Sequence, residues 1–325
     1  MSPKLLNVEN AIPFSLLKTL RIGSNVFVRL IRLILLIGLS FLALYPVFSM
    51  ISLAFRPATE MYDETVVWIA KNPTLLNFKE AFKKLNYVSN FLKTAGISGI
   101  SSLLTIFSCS LAAYGLSRFN FKGKNLAFIL VVLTIVVPPQ TAQVPTFVNY
   151  CYFDFFGIGK IIGLFTGKAF SVNILNTYWV MILPAAFAAG LQAGLYIFVF
   201  RQFFLNMPKG LEEAARIDGC NAWQTYWRII VPNGVPVFVV VFLLSMVAYW
   251  NDTAVTGIYL MDSESYLMMH NLKSIVSNML SNNQFGSGEV LSNAMAILAI
   301  APIVILFIVC QHFFTEFLDN SGVKG

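Results

Sequence analysis

The chain has 325 residues, 57% of them hydrophobic and 11% charged, with a formal net charge of +7. An average soluble domain carries about 25% charged residues, so a chain this poor in charge cannot clothe a soluble surface of its own size and must meet lipid. The mean hydropathy of +0.73 agrees, and the basic residues gather near the ends of apolar runs, a topology signal that argues against nucleic acid as their partner.

Residues 1–29 form a mildly basic arm with Lys4, Lys18, Arg21 and Arg29. The apolar run that follows is long enough to span a bilayer and has no small-residue cleavage pattern after it, so it reads as a span rather than a cleaved signal. Residues 30–325 are expected to form one transmembrane permease domain with six spans, each near the roughly 20 residues a bilayer requires. These lie at about 30–55, 90–116, 126–150, 177–204, 235–260 and 290–314. The second is rich in Gly96, Ser98, Gly99, Ser101, Ser102, Ala112 and Ala113, small residues that let helices approach closely, within the chain or against a partner subunit. Pro138, Pro139 and Pro145 interrupt the third, and Pro184, Gly190 and Gly194 lie inside the fourth. The Lys/Arg bias of the connecting segments favours an inside N-terminus, and an even number of spans then puts both termini in the cytoplasm. The external segments 56–89, 151–176 and 261–289 carry no motif that assigns them a role.

The loop between the fourth and fifth spans, 205–232, reads as two short helices around a glycine bend. Pro208 suits a first helical turn, Glu212 and Glu213 favour the positive end of the helix dipole, and Gly219 is a natural C-terminal stop. The second helix sets Trp223, Tyr226, Trp227 and Ile230 at i, i+3, i+4 and i+7, a single apolar stripe that Pro232 ends. Such a pair fits either the membrane surface or a groove in a partner.

Catalytic chemistry has little to stand on. Cys109, Cys151, Cys220 and Cys310 are scattered, without a CxxC or a nearby histidine pair, which argues against both a metal site and a disulfide framework. His270 and His312 are isolated, and no Gly-x-x-x-x-Gly-Lys-Ser/Thr loop is present to hold a nucleotide. The reading is a transporter subunit, not an enzyme, with no cofactor of its own.

The run Glu212-Glu213-Ala214-Ala215-Arg216-Ile217-Asp218-Gly219, followed by Ile230-Val231-Pro232, resembles the EAA motif of binding-protein-dependent ABC importer permeases, especially carbohydrate permeases of the maltose-transporter type. Four further stretches are similar to the same family: Leu111 to Phe119, Pro138 to Pro145, Trp250-Asn251-Asp252, and the tail Gly322-Val323-Lys324-Gly325. The resemblance implies an all-α integral membrane protein of the type I ABC importer permease fold, with a cytoplasmic coupling helix that enters a cleft of the ATPase. It implies as partners a second permease subunit, two ATPase subunits that hold ATP and Mg, an extracellular solute-binding protein, a sugar substrate and the inner-membrane bilayer. Glu212, Glu213, Ala214, Ala215, Asp218 and Gly219 become ATPase-coupling candidates, with Glu212 meeting a basic residue of the ATPase or, alternatively, Arg216 one turn away. The same fold with a non-sugar solute, and a secondary transporter, are the competing readings.

Polar residues in apolar spans are costly and tend to face a cavity or pair between helices. On that ground Gln140, Gln143, Asn149, Gln192, Tyr249, Asn251 and Asp252 are the substrate-pathway candidates, with interhelical hydrogen bonding as the alternative for each.

Overall fold

The computed structural model describes residues 14–61, 63, 69–155, 157–167, 170–282 and 286–321; most of the N-terminal arm's first half and the tail from Gly322 to Gly325 lie outside the described residues. The described chain is helical. In order it runs α1 (Phe14–Phe55), α2 (Leu76–Lys84), α3 (Tyr87–Arg118), α4 (Lys124–Val136), α5 (Gln143–Cys151), α6 (Ile158–Thr166), α7 (Trp179–Ala186) and α8 (Ala193–Asn206). It continues as α9 (Gly210–Ile217), α10 (Ala222–Thr225), a π-helical turn (Tyr226–Ile230), α11 (Val231–Asn233), α12 (Val235–Trp250), α13 (Ala254–Tyr259), α14 (Met268–Ser281) and α15 (Ser287–Ser321).

α3 is the axis of the bundle and packs against α8, α7 and α12, while α15 packs against α1, α2, α12 and α14. The small residues of α3 divide between two environments. Thr94, Ser98, Ser101, Ser102, Thr105 and Ala113 are fully buried within the chain, whereas a Cβ added at Gly96, Gly99 or Gly115 would meet open space. α1 lies at the opposite extreme, with Ile34 67% and Leu42 68% exposed. An apolar surface this extensive is what a lipid-facing helix presents.

Among the described residues, three helical stretches are long and apolar enough to cross a membrane: Val28–Phe55, Tyr87–Arg118 and Ser287–Thr315. Two bent pairs raise the number to five. The first joins Lys124–Val136 to Pro139–Cys151 through a 98° turn, where two successive prolines cannot donate to the preceding turn. The second joins Ala222–Asn233 to Val235–Trp250 through 81°.

The expected fourth span, about 177–204, is broken into α7 and α8. Pro184 has no N–H for the carbonyl of Val180, and the Tyr150 hydroxyl donates to that carbonyl instead at 3.3 Å. Beyond it Ala188 and Gln192, between the two helices, both adopt positive φ, 54° and 55°.

α12 and α15 are tied by Trp250, which is 1% exposed. Its Nε1–H donates to the Ala299 carbonyl at 2.9 Å, and its ring meets Phe91 edge-on at 6.0 Å. Trp250→Ala is expected to destabilise the bundle by about 3–5 kcal/mol, read as a lower melting temperature of the detergent-solubilised chain. An unchanged melting temperature would remove this contact from the account of the fold.

The segment after α1 packs back on that helix. Asn77 donates through Nδ2 to the carbonyls of Ala54 and Arg56, at 2.9 and 2.8 Å, folding α2 back on the end of α1. Buried Glu60 accepts from the backbone of Lys71 and Asn72, both at 3.0 Å, and closes the loop between α1 and α2.

Candidate functional site

The loop between α8 and α12 folds as two helical pieces around Gly219. Glu212 and Glu213 stand in the first turn of α9, near its positive dipole end. The helix stops in a Schellman arrangement: Gly219, at φ 80°, donates to the Arg216 carbonyl at 3.0 Å, and Cys220 donates to the Ala215 carbonyl at 2.9 Å. Only glycine takes that left-handed φ freely, so the residue type and the turn explain each other.

The second piece opens with a capping box that the sequence reading missed. Asn221 Oδ1 accepts from the Gln224 N–H at 2.8 Å, and Gln224 Oε1 accepts from the Asn221 N–H at 2.9 Å. The N-x-x-Q spacing was its signal.

Of the expected stripe, the rings of Trp223, Tyr226 and Trp227 come together with centroids 5.2–6.1 Å apart, but burial is uneven along it. Tyr226 and Ile230 are buried at 1% and 0% exposed, while Trp223 and Trp227 remain 55% and 43% exposed. The helix continues through a π turn: the Val231 N–H donates to the Tyr226 carbonyl, five residues back. Pro232 has no N–H for the carbonyl four residues before it, so the ordinary ladder cannot continue there.

Three polar contacts fasten this loop to α3. Ser110 Oγ and the Tyr226 hydroxyl lie 2.7 Å apart, both buried. Arg118, the last residue of α3, brings Nε to 2.8 Å from Glu212 Oε1, with side chains only 5% and 10% exposed. The Nε–H does not align on that oxygen as a hydrogen bond, so this contact is an ion pair by proximity; a second guanidinium nitrogen donates to the Met207 carbonyl at 3.0 Å. Glu212 therefore faces inward to Arg118 rather than to Arg216 one turn away. The remainder of the motif divides by face: Ala215 is 3% exposed, while Glu213, Ala214, Arg216, Asp218 and Gly219 are exposed and Ile217 is 87% exposed.

The polar residues picked out in the spans separate in the same way. Tyr249 is 1% exposed; its hydroxyl lies 3.2 Å from the Thr105 hydroxyl and accepts from the Leu191 N–H at 3.3 Å. Asp252 accepts from the N–H groups of Val255 and Thr256, at 3.2 and 2.8 Å, and from the Thr256 hydroxyl at 3.0 Å, so it caps α13. In this conformation both side chains hold helices together. Gln140, Asn149, Gln192 and Asn251 are exposed and Gln143 is half-buried. Gln192 accepts from the Tyr196 hydroxyl at 3.2 Å, and Asn251 donates to the Val247 carbonyl one turn back at 3.0 Å. Gln140, Gln143 and Asn149 lie along the bent third segment, and Tyr249, Asn251 and Asp252 at the end of α12.

Comparison with known proteins bears on this geometry. Residues 104–321 match the family model described as the binding-protein-dependent transport system inner membrane component. The chain is 28% identical over 290 residues to the arabinooligosaccharides transport system permease protein AraQ of Halalkalibacterium halodurans, covering 88% of this chain and 93% of that protein. It is 28% identical over 304 residues to the maltose/maltodextrin transport system permease protein MalG of Vibrio parahaemolyticus, covering 88% and 93%. Its fold is similar to a chain of a bacterial ABC transporter involved in the import of the acidic polysaccharide alginate, with a TM-score of 0.71 at 19% identity over 90% of this chain and 98% of that one.

Proposed function

Because the chain belongs to the family of binding-protein-dependent transport inner membrane components, a non-catalytic membrane subunit of ABC importers, we propose that it forms half of the pore of an importer for an oligosaccharide. The transport names of the relatives, for arabinooligosaccharides and maltodextrins among others, support the substrate class. In this reading the six spans are the three long helices, the bent pair α4 and α5, α7 with α8 as one broken crossing, and α12 with α13. Both termini lie in the cytoplasm, with residues 1–29 as an arm and 30–325 as the permease domain. The partners are a second permease, two ATPase subunits that hold ATP and Mg, and an external solute-binding protein.

The observation that carries the reading is the face α9 leaves outward. One side of the helix is held to α3 through Glu212, while Glu213, Ala214 and Ile217 project away from the chain. An 87% exposed isoleucine beside a small residue and an acid is an anomaly on a polar loop tip and suits a groove in a second protein. α9 is the helix that enters the ATPase, with Glu213 as its outward acid and Gly219 fixing its exit. Polar groups of the bent third segment, Gln140, Gln143 and Asn149, and Gln192, Tyr249, Asn251 and Asp252 lie along or brace the sugar path as the pore changes state.

The test is to co-express the chain with its neighbouring genes, purify it through a tag, and reconstitute what comes with it. A second permease and an ATPase are expected to co-purify and, with the binding protein, to drive ATP-dependent oligosaccharide uptake into vesicles. A chain that purifies alone overturns the reading.

A further inference from the structure

We propose that Arg118 is the positioning residue through which movement of the α9 loop enters the membrane bundle; this rests on α9 being the helix that meets the ATPase. Ser110, Tyr114 and Arg118 recur every four residues and so share one face of α3. That face makes all three attachments. Ser110 bonds Tyr226, Tyr114 packs its ring 5.4 Å from the Tyr226 ring, and Arg118 pairs with Glu212. The Arg118 guanidinium also holds the Met207 carbonyl, so one side chain grips the loop both where it leaves α8 and on α9 itself.

A planar fork is suited to holding two acceptors at fixed angles, which a lysine ammonium is not. The end of α3 is steadied from a second helix as well: Arg201 of α8 donates to the Leu116 carbonyl at 3.4 Å and stacks 3.7 Å over the Phe128 ring of α4. α3 in turn carries Thr105, which meets Tyr249 of α12 in the middle of the bundle. A push on α9 therefore reaches the spans through a rigid helix rather than through the slack of the loop backbone. Because the pair is buried, deleting one charge leaves the other uncompensated, and deleting both relieves it.

The test uses the whole importer reconstituted in vesicles, measuring assembly, ATP hydrolysis and uptake together. Arg118→Gln is expected to assemble with the ATPase and to keep hydrolysing ATP, while uptake per ATP falls about tenfold, inside the usual five- to 150-fold range of coupling effects. Arg118→Lys is expected to lie between Arg118→Gln and wild type in uptake per ATP, and Arg118→Gln with Glu212→Gln to regain melting temperature relative to Arg118→Gln alone without regaining uptake per ATP. A merely structural role predicts instead that hydrolysis and uptake fall together in proportion to the complex recovered, and that result overturns the proposal. Unchanged uptake per ATP in assembled Arg118→Gln complexes overturns it too. Failure of the wild-type chain to bring down an ATPase would fault the underlying assignment of α9; a wild type that couples and a variant that couples equally well would fault only the role of Arg118.

Discussion

Gly219→Pro is expected to reduce substrate uptake by the reconstituted importer to background while the chain reaches the membrane at its normal level. Gly219 sits at φ 80°, and proline is locked near −65°. The substitution also deletes the N–H that donates to the Arg216 carbonyl and, by moving the backbone, the neighbouring bond from Cys220 to Ala215. The loss is about 3 kcal/mol or more of local stability, enough to unwind the last turn of an eight-residue helix. That turn carries Ile217 and sets the direction in which the loop leaves α9, so the ATPase would lose its contact before the bundle lost its fold. Gly219→Ala is the graded control. A Cβ there meets nothing within 4 Å, so its cost is the left-handed backbone alone, about 1–2 kcal/mol. The expected order of uptake and of ATPase stimulation is wild type, alanine, proline. Wild-type uptake by the proline variant would sink the assignment of α9 as the coupling element.

Gly219 was legible because its information is local: a glycine after a short amphipathic run with acids in its first turn is a stop wherever it occurs. α3 and α15 were legible for the same reason, since long apolar runs need no partner to be recognised. The Arg118–Glu212 pair was not. Each residue has an ordinary local reading, a basic flank at a span end and an acid at a helix start, and only the packing of α3 against the loop brings them together. The π turn in the second loop helix was not legible, because a 3.6-residue period carries no sign of where the ladder widens before Pro232. Tyr249 and Asp252 were rightly singled out as unusual polar groups in an apolar setting. Burial alone, however, cannot tell a group facing a pathway from one tying helices together, and their hydrogen-bond partners lie on residues far away in sequence or in the next short helix.

The turn between α7 and α8 packs on one such tertiary contact, which gives the last expected result. Of Pro184, Gly190 and Gly194 inside the expected fourth span, Gly190 is the one that Tyr249 approaches. A Cβ at position 190 would stand 2.3 Å from the Tyr249 hydroxyl and 3.1 Å from the Ala185 Cα, and the latter is backbone that cannot swing aside. Gly190→Ala is therefore expected to lower the melting temperature of the solubilised chain and to reduce uptake, at an overpacking cost of about 1–3 kcal/mol. Tyr249→Phe removes the hydroxyl that clashes. By itself it leaves the Thr105 hydroxyl and the Leu191 N–H without this partner, a penalty of about 1–3 kcal/mol. Combined with Gly190→Ala it should cost less than the sum of the two single changes, because the methyl then occupies the space of the missing oxygen. Strict additivity of the two in a melting-temperature cycle would show that Tyr249 does not press on Gly190.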